Sequence, residues 1–170
     1  LVEPKISLDL PRISIDFIPL TVPQFQSLPW QEGIKKVLLG GSAAPVATCP
    51  EGTEVYVGYG MTETASHVAV RALNEEVYRA VGSTRFSVNA EGALVVRSPH
   101  LGIEELVTND AAVLHNDREF NIEGRLDFTI NSGGVKIHPE QWEQALAVEG
   151  IYAAIAPLDD EVFGQLPVLI

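Results

Sequence analysis

Two short aliphatic runs, each stopped by glycine, constrain the fold of this 170-residue chain more than any other feature. Val37 to Leu39 follows two lysines and leads into "GGSAAP", Gly40 to Pro45. Val55 to Tyr59 is ended by Gly60 and leads into "MTETASH". Apolar runs of this kind, each followed by a glycine loop, fit parallel strands buried on both faces. Ile13 to Leu20 reads as a further strand, ended by Pro19 and Pro23.

From Thr84 the pattern changes. "RFSVNAEGALVVRSP" alternates, turns at Asn89–Gly92 and alternates back, which is a hairpin pattern. "ELVTNDAAVLHNDREF" continues it, with a turn at His115–Asp117. This middle section is expected to form a small antiparallel sheet or barrel. Phe128–Ile130 and Val135–Ile137 then flank the "NSGG" turn as another hairpin. Pro139 suits the first position of a helix with Trp142, Ala145 and Leu146 on one face. Ile151–Ala156 and Pro167–Ile170 read as further strands. The expected fold class is α/β: a parallel-sheet subdomain with an antiparallel sub-barrel over about 80–126, then the start of a small α+β domain at 127–170.

Three junctions are abrupt: "SLPWQEG", "PVATCPEGTEVY" and "ALNEEVYR". Val46 to Thr53 is too short for a parallel crossover of about a dozen residues, and Pro50 and Gly52 forbid a helix there. Either the flanking strands are not neighbours, or residues are missing near Leu28–Gly33, Val46–Thr53 and Asn74–Arg79.

Composition narrows the function classes. Apolar residues make up 46% and charged residues 20%, as in a globular domain. A net charge of −12 with no basic run argues against nucleic acid or an anionic membrane as the main partner. It leaves room for a small anionic ligand held by backbone N–H groups, an arginine or a metal ion. Cys49 is the only cysteine, which rules out an internal disulfide or a cysteine metal cluster and fits a reducing, cytoplasmic setting. No apolar run approaches the ~18–20 residues of a membrane span, and no signal peptide is visible.

The chemistry-bearing motifs follow in order. "YGMTET" ends a buried strand in an aromatic ring, glycine, hydroxyls and a carboxylate. An aromatic face stacks on a base, a hydroxyl and free N–H groups suit phosphate oxygens, and a carboxylate is the usual protein ligand of Mg²⁺ in phosphate sites. Gly58 and Gly60 would let a nucleotide approach the backbone closely. Taken alone, Glu63 reads as a solvated loop carboxylate. "GGSAAP" lacks the Lys-Ser/Thr ending of a Walker loop and reads, alone, as a tight turn. "TND" at Thr108–Asp110 and "GRLDFTINSGGVKIHPEQWE" complete the series.

These four motifs, in this order, resemble the acyl-adenylate-forming superfamily of acyl-CoA ligases, luciferases and peptide-synthetase adenylation domains. The resemblance runs from about Val37 to Glu143. It implies ATP-dependent activation of a small-molecule carboxylic acid to an acyl-AMP, with Mg²⁺, and transfer to the thiol of CoA. By resemblance, Gly41, Ser42, Ala43 and Ala44 line the adenine, and Tyr59 and Gly60 pack on the nucleotide. Thr62 contacts phosphate, Glu63 binds Mg²⁺, and Asp110 accepts from the ribose hydroxyls. Arg125 reaches the ribose and phosphate side, with Thr62, Glu63 and Arg125 as the catalytic set. Asp127 matches the hinge about which the small domain swings. Ser132, Gly133 and Gly134 match the loop lining the thiol channel. Asn109 departs from the usual glycine, which puts the local backbone in question.

Four histidines remain. His100, His115 and His138 read as surface residues, Lys136 as a solvated hairpin lysine, and His67 as a candidate for the acyl pocket. "TETASH" is most like the o-succinylbenzoate–CoA ligase branch of menaquinone synthesis. Another aryl- or fatty-acyl-CoA ligase, or a non-catalytic nucleotide-binding module, are the alternatives. The superfamily's phosphate loop and its C-terminal lysine are not in this sequence. The expectation is a segment of a larger ligase, inactive alone, with Thr62, Glu63, Asp110 and Arg125 converging on one cleft.

Overall fold

In the computed structural model, residues 14–27, 33–41, 51–65 and 67–170 are described. The chain divides into two units, Leu1–Val81 and Gly82–Ile170. The first opens with β1 (Ile18–Thr21) and α1 (Val22–Ser27), followed by β2 (Lys36–Gly40), β3 (Glu54–Gly60), β4 (His67–Ala72) and β5 (Tyr78–Ala80). β1, β2 and β3 lie side by side in parallel, and β4 and β5 continue the sheet antiparallel. Its core is Leu20, Phe25, Ile34, Val37, Leu39 and Val55. Alternation explains why. Val37 and Leu39 are fully buried while their neighbours Lys36 and Leu38 are not, so one face of β2 takes the core, where the aliphatic run suggests burial on both.

Two further expectations change here. The strand does not stop at Pro19 but runs through it to Thr21. β1 borders the sheet on one side only, where a missing N–H costs little. And the strands flanking "PVATCPEGTEVY" are neighbours after all: Lys36 pairs with Glu54 and Leu39 with Val57. Their connection runs from Gly41 to Thr53, which includes the small-residue loop and reaches the length a crossover needs. The suspected omissions near Leu28–Gly33 and Val46–Thr53 fall almost wholly outside the described residues. The third junction is a turn between β4 and β5, closed by the Glu75 N–H on the Ala72 carbonyl.

The second unit holds β6 (Arg85–Val88), β7 (Ala93–Ser98), β8 (Ile103–Asn116) and β9 (Glu119–Arg125), an antiparallel sheet in the order β9-β8-β7-β6. The Asn89–Gly92 turn forms as read: the Asn89 side chain accepts from the N–H groups of Glu91 and Ala93. Phe86 and Phe120 meet edge-on in its core, ring centroids 4.6 Å apart. Thr84 and Ser98, both fully buried, satisfy each other at 2.9 Å.

A 3₁₀ turn, Leu126–Phe128, leads into β10 (Ile130–Ser132), β11 (Val135–Ile137), α2 (Pro139–Val148), β12 (Ile155–Asp160) and β13 (Gly164–Leu169). These strands form a second sheet in the order β11-β10-β13-β12. Pro139 begins α2 as expected, but the helix does not bury the expected apolar face: Trp142 is 48% exposed and Pro139 is its one buried residue. Polar contacts hold it instead, among them the Ile155 N–H donated to the Glu143 carboxylate at 2.8 Å.

Candidate functional site

β3 delivers Tyr59 and Gly60 to a 3₁₀ turn, Thr62–Thr64. Thr64 is buried and staples the turn. Its hydroxyl accepts from the Met61 N–H and donates to the Met61 carbonyl, both at 3.0 Å. Ala65 closes it in the left-handed region, φ 53°, donating its N–H to the Thr62 carbonyl. Thr62 and Glu63 are left exposed on a fixed scaffold, and among the described residues neither side chain has a partner. The Tyr59 ring lies 5.8 Å from that of Tyr78, and the Arg71 guanidinium sits over Tyr78 at 5.2 Å.

His67 pairs with Gly60 across β3 and β4, where the register shifts. Its imidazole lies over two glycines. A Cβ added to Gly58 would meet the ring at 1.9 Å, and one added to Gly40 would meet Nε2 at 2.9 Å. The close approach expected for a nucleotide over Gly58 is thus taken by the protein's own histidine. Gly41 is exposed at the end of β2, and Ser42, Ala43 and Ala44 lie outside the described residues.

In the second unit the β8–β9 hairpin brings "TND" and "GR" together. Asp110 pairs directly opposite Arg125. Asp110 is mostly buried, its N–H on the buried Thr108 hydroxyl at 3.1 Å, and Arg125 Nη1 approaches its carboxylate at 3.8 Å. Asn109 lies within the extended run of β8 with no positive φ, so its departure from glycine leaves the backbone undisturbed.

Arg125 is held by Asp127 as a fork: Nε donates to Oδ1 at 2.9 Å and Nη2 to Oδ2 at 2.8 Å. The same bonds hold the Asp127 carboxyl below its ordinary range and raise Arg125. Sequence reasoning gave Asp127 a backbone role and missed this pairing. The i, i+2 spacing across the strand end was the available signal.

Gly133 and Gly134 form the β10–β11 turn with φ 57° and 86°, a two-residue hairpin that demands positive φ at both positions. The turn thus accounts for both glycines by itself. Ser132 is half-buried, and Lys136 is exposed as expected. His115 and His100 are exposed; His100 Nδ1 lies 3.0 Å from the Ser83 hydroxyl. His138 corrects its surface reading: its side chain is 10% exposed, because the cap of α2 packs against the end of β9, and Nδ1 lies 3.2 Å from the Thr129 hydroxyl.

The 2-succinylbenzoate–CoA ligase of Escherichia coli K12 is 32% identical over 161 residues, covering 81% of this chain and 35% of that protein. The Bacillus mycoides protein of the same name is 28% identical over 174 residues. Among solved structures, an AMP-forming acyl-CoA synthetase/AMP-acid ligase II-like protein of Dyadobacter fermentans matches 95% of this chain and 52% of its own, at 34% identity and TM-score 0.63. The E. coli MenE structure with a bound analogue of OSB-AMS matches 91% of this chain and 40% of its own, at 26% identity and TM-score 0.72. The resemblance to the acyl-adenylate-forming enzymes is borne out. The chain spans about a third of the length of these curated relatives. No protein-family model matches it.

Proposed function

We propose that the protein carrying this chain is an AMP-forming acid–thiol ligase, specifically an o-succinylbenzoate–CoA ligase of menaquinone synthesis acting in the cytoplasm. The observation that carries the reading is the cross-strand pair of Asp110 and Arg125. Two motifs on the facing strands of one hairpin meet with the donors and acceptors a ribose needs. A mostly buried carboxylate accepts from a diol, and hydrogen bonds of a hydroxyl to a carboxylate contribute about 1.5–3 kcal/mol each. Asp127 fixes the guanidinium plane beside it.

In this reading Tyr59, Gly60 and the loop from Gly41 to Ala44 take the adenine, and Thr62 takes phosphate oxygen. Glu63 suits Mg²⁺, because it is exposed and without a partner among the described residues, and Mg²⁺ arriving with a nucleotide needs one or two protein carboxylates. When bound, the ion offsets charge on the phosphate oxygens. Asp127 serves as the hinge between adenylation and thioester formation, and Ser132, Gly133 and Gly134 border the path of CoA. His67 borders the acyl group. The chain without the remainder of its relatives' length is proposed to be inactive.

The test is ATP–pyrophosphate exchange by the full-length protein with o-succinylbenzoate, benzoates and fatty acids. Exchange strongest with o-succinylbenzoate supports the reading, and exchange strongest with another acid corrects the substrate. Nucleotide binding without exchange for any acid would overturn the enzyme in favour of a binding module.

A further inference from the structure

Arg125 is bonded through its backbone as well as its side chain. Its N–H donates to Glu140 Oε1 at 3.1 Å. Glu140 stands in the first turn of α2, where a carboxylate is favoured by the helix dipole. Its other oxygen, Oε2, is buried and has no hydrogen-bond partner among the described residues. The residue before Arg125 is shaped to receive it. Gly124 has φ 152°, and a Cβ there would lie 2.6 Å from Glu140 Oε2 and 3.0 Å from His138 Cβ. A strand end that only glycine can provide therefore forms a seat, and the Glu140 carboxylate fills it.

The seat spans the 3₁₀ turn that contains Asp127. Its backbone half, Gly124 and Arg125, precedes the turn, and its carboxylate half follows it. Any rotation of the following chain about Asp127 must withdraw Glu140 from Gly124. One oxygen bonded and the other desolvated without a partner describes a contact that holds but is not saturated. That suits a contact that must be made and broken.

We propose that Glu140 is a positioning residue, a releasable latch that sets the pose of the chain after Asp127 by seating α2 on the end of β9. The proposal rests on the hinge reading of Asp127 and adds the group that holds one pose. Glu140 touches no substrate. It acts through the Arg125 backbone and therefore through the direction of the Arg125 side chain.

The experiment uses the full chain in three forms: wild type, E140A and E140Q. Glutamine keeps an oxygen acceptor for the Arg125 N–H; alanine removes it. Amide exchange at Arg125 is expected to rise about tenfold or more in E140A, remain near wild type in E140Q, and stay unchanged in the strands β7 and β8. In the full-length protein the ratio of thioester formation to acyl-AMP formation is expected to shift at least about threefold in E140A and to return toward wild type in E140Q. Unchanged exchange at Arg125 in E140A would overturn the latch. Increased exchange with an unchanged ratio would reduce Glu140 to a structural contact and also overturn it. If wild-type protein forms no acyl-AMP, the ligase reading falls and the swing with it, while the exchange arm still decides the seat.

Discussion

Replacing Gly58 by alanine places a methyl group inside the imidazole of His67. The added Cβ would lie 1.9 Å from Cδ2, 2.5 Å from Nε2 and 2.7 Å from Cγ. Carbon atoms in contact are normally about 3.5–4.0 Å apart, so the ring must move by about 2 Å. Toward β2 the room beside Nε2 is only what the missing Gly40 Cβ leaves, so the ring is expected to swing off the sheet. Gly58 has no positive φ, so alanine is otherwise compatible with the strand and would by itself stabilise by about 0.4–1 kcal/mol. The overpacking opposes this with about 1–3 kcal/mol. The expected net loss is about 1–2 kcal/mol, a fall of about 0.5–1 M in the urea midpoint at a typical slope of about 2 kcal/mol/M. In an H67A background the slot is empty, and G58A should be neutral or slightly stabilising. The coupling of about 2 kcal/mol lies within the range for residues in contact. Urea unfolding followed by circular dichroism on the four proteins of the cycle measures it. A G58A loss of equal size in both backgrounds would refute the argument that Gly58 leaves room for the ring.

Arg125→Ala should let Asp127 titrate near the ordinary 3.8, whereas in the wild type it titrates lower. Because its folded value is depressed, the Asp127 contribution is present above 3.8 and lost as pH falls through the folded value; carboxyl NMR titration reads the difference. Tyr56→Phe should raise Glu54, which the Tyr56 hydroxyl, donating at 2.6 Å, holds below its usual range; the same titration reads it. Ser98→Ala leaves the buried Thr84 hydroxyl without its partner and should cost about 1–3 kcal/mol, while Thr84→Val with Ser98→Ala should cost less than the two changes added; denaturant midpoints decide. In the full-length protein, Asp127→Pro should suppress thioester formation more than about tenfold with adenylation largely kept, Asp127→Ala controlling for loss of the fork. Glu63→Ala should weaken pyrophosphate exchange itself.

Much of the fold was legible because its signals are local. The Asn89–Gly92 and Gly133–Gly134 turns announce themselves by residues that tolerate the required dihedrals, and Pro139 by its fit to a first helical position. The β2–β3 pairing was not legible, since it depends on where a crossover is counted from and not on either strand. The face of α2 misled because periodicity reports apolar residues, not whether a partner covers them, and Trp142 stays half exposed. In the site, residue types were readable and their partners were not. "GRLD" reads as two separate roles, and only the strand end at Arg125 turns them into a fork. Glu140 carried no signal at all: a glutamate after Pro139 is an ordinary first-turn residue until Gly124 stands beneath it.

The charge of the Arg125 cluster bears on how it can recognise anything. One guanidinium lies between two carboxylates, forked to Asp127 and within 3.8 Å of Asp110, and Glu140 adds to the field that favours its charged form. Within these groups the positive charge is already offset, in a chain whose net charge is −12. A polyanion is therefore not drawn here by surplus charge. What the cluster offers is direction: a planar donor whose rotation is stopped by two bonds on one edge, beside a mostly buried acceptor. Groups fixed in advance lose little entropy when a hydroxyl arrives, and a diol carries no charge to be repelled. The arrangement is better matched to a sugar than to a phosphate. If the proposed ligase reading holds, compensation for a triphosphate falls to ions that travel with it, and to the exposed Glu63 proposed to receive one. On this argument Asp127 fixes how Arg125 points, and Glu140 fixes where Arg125 stands.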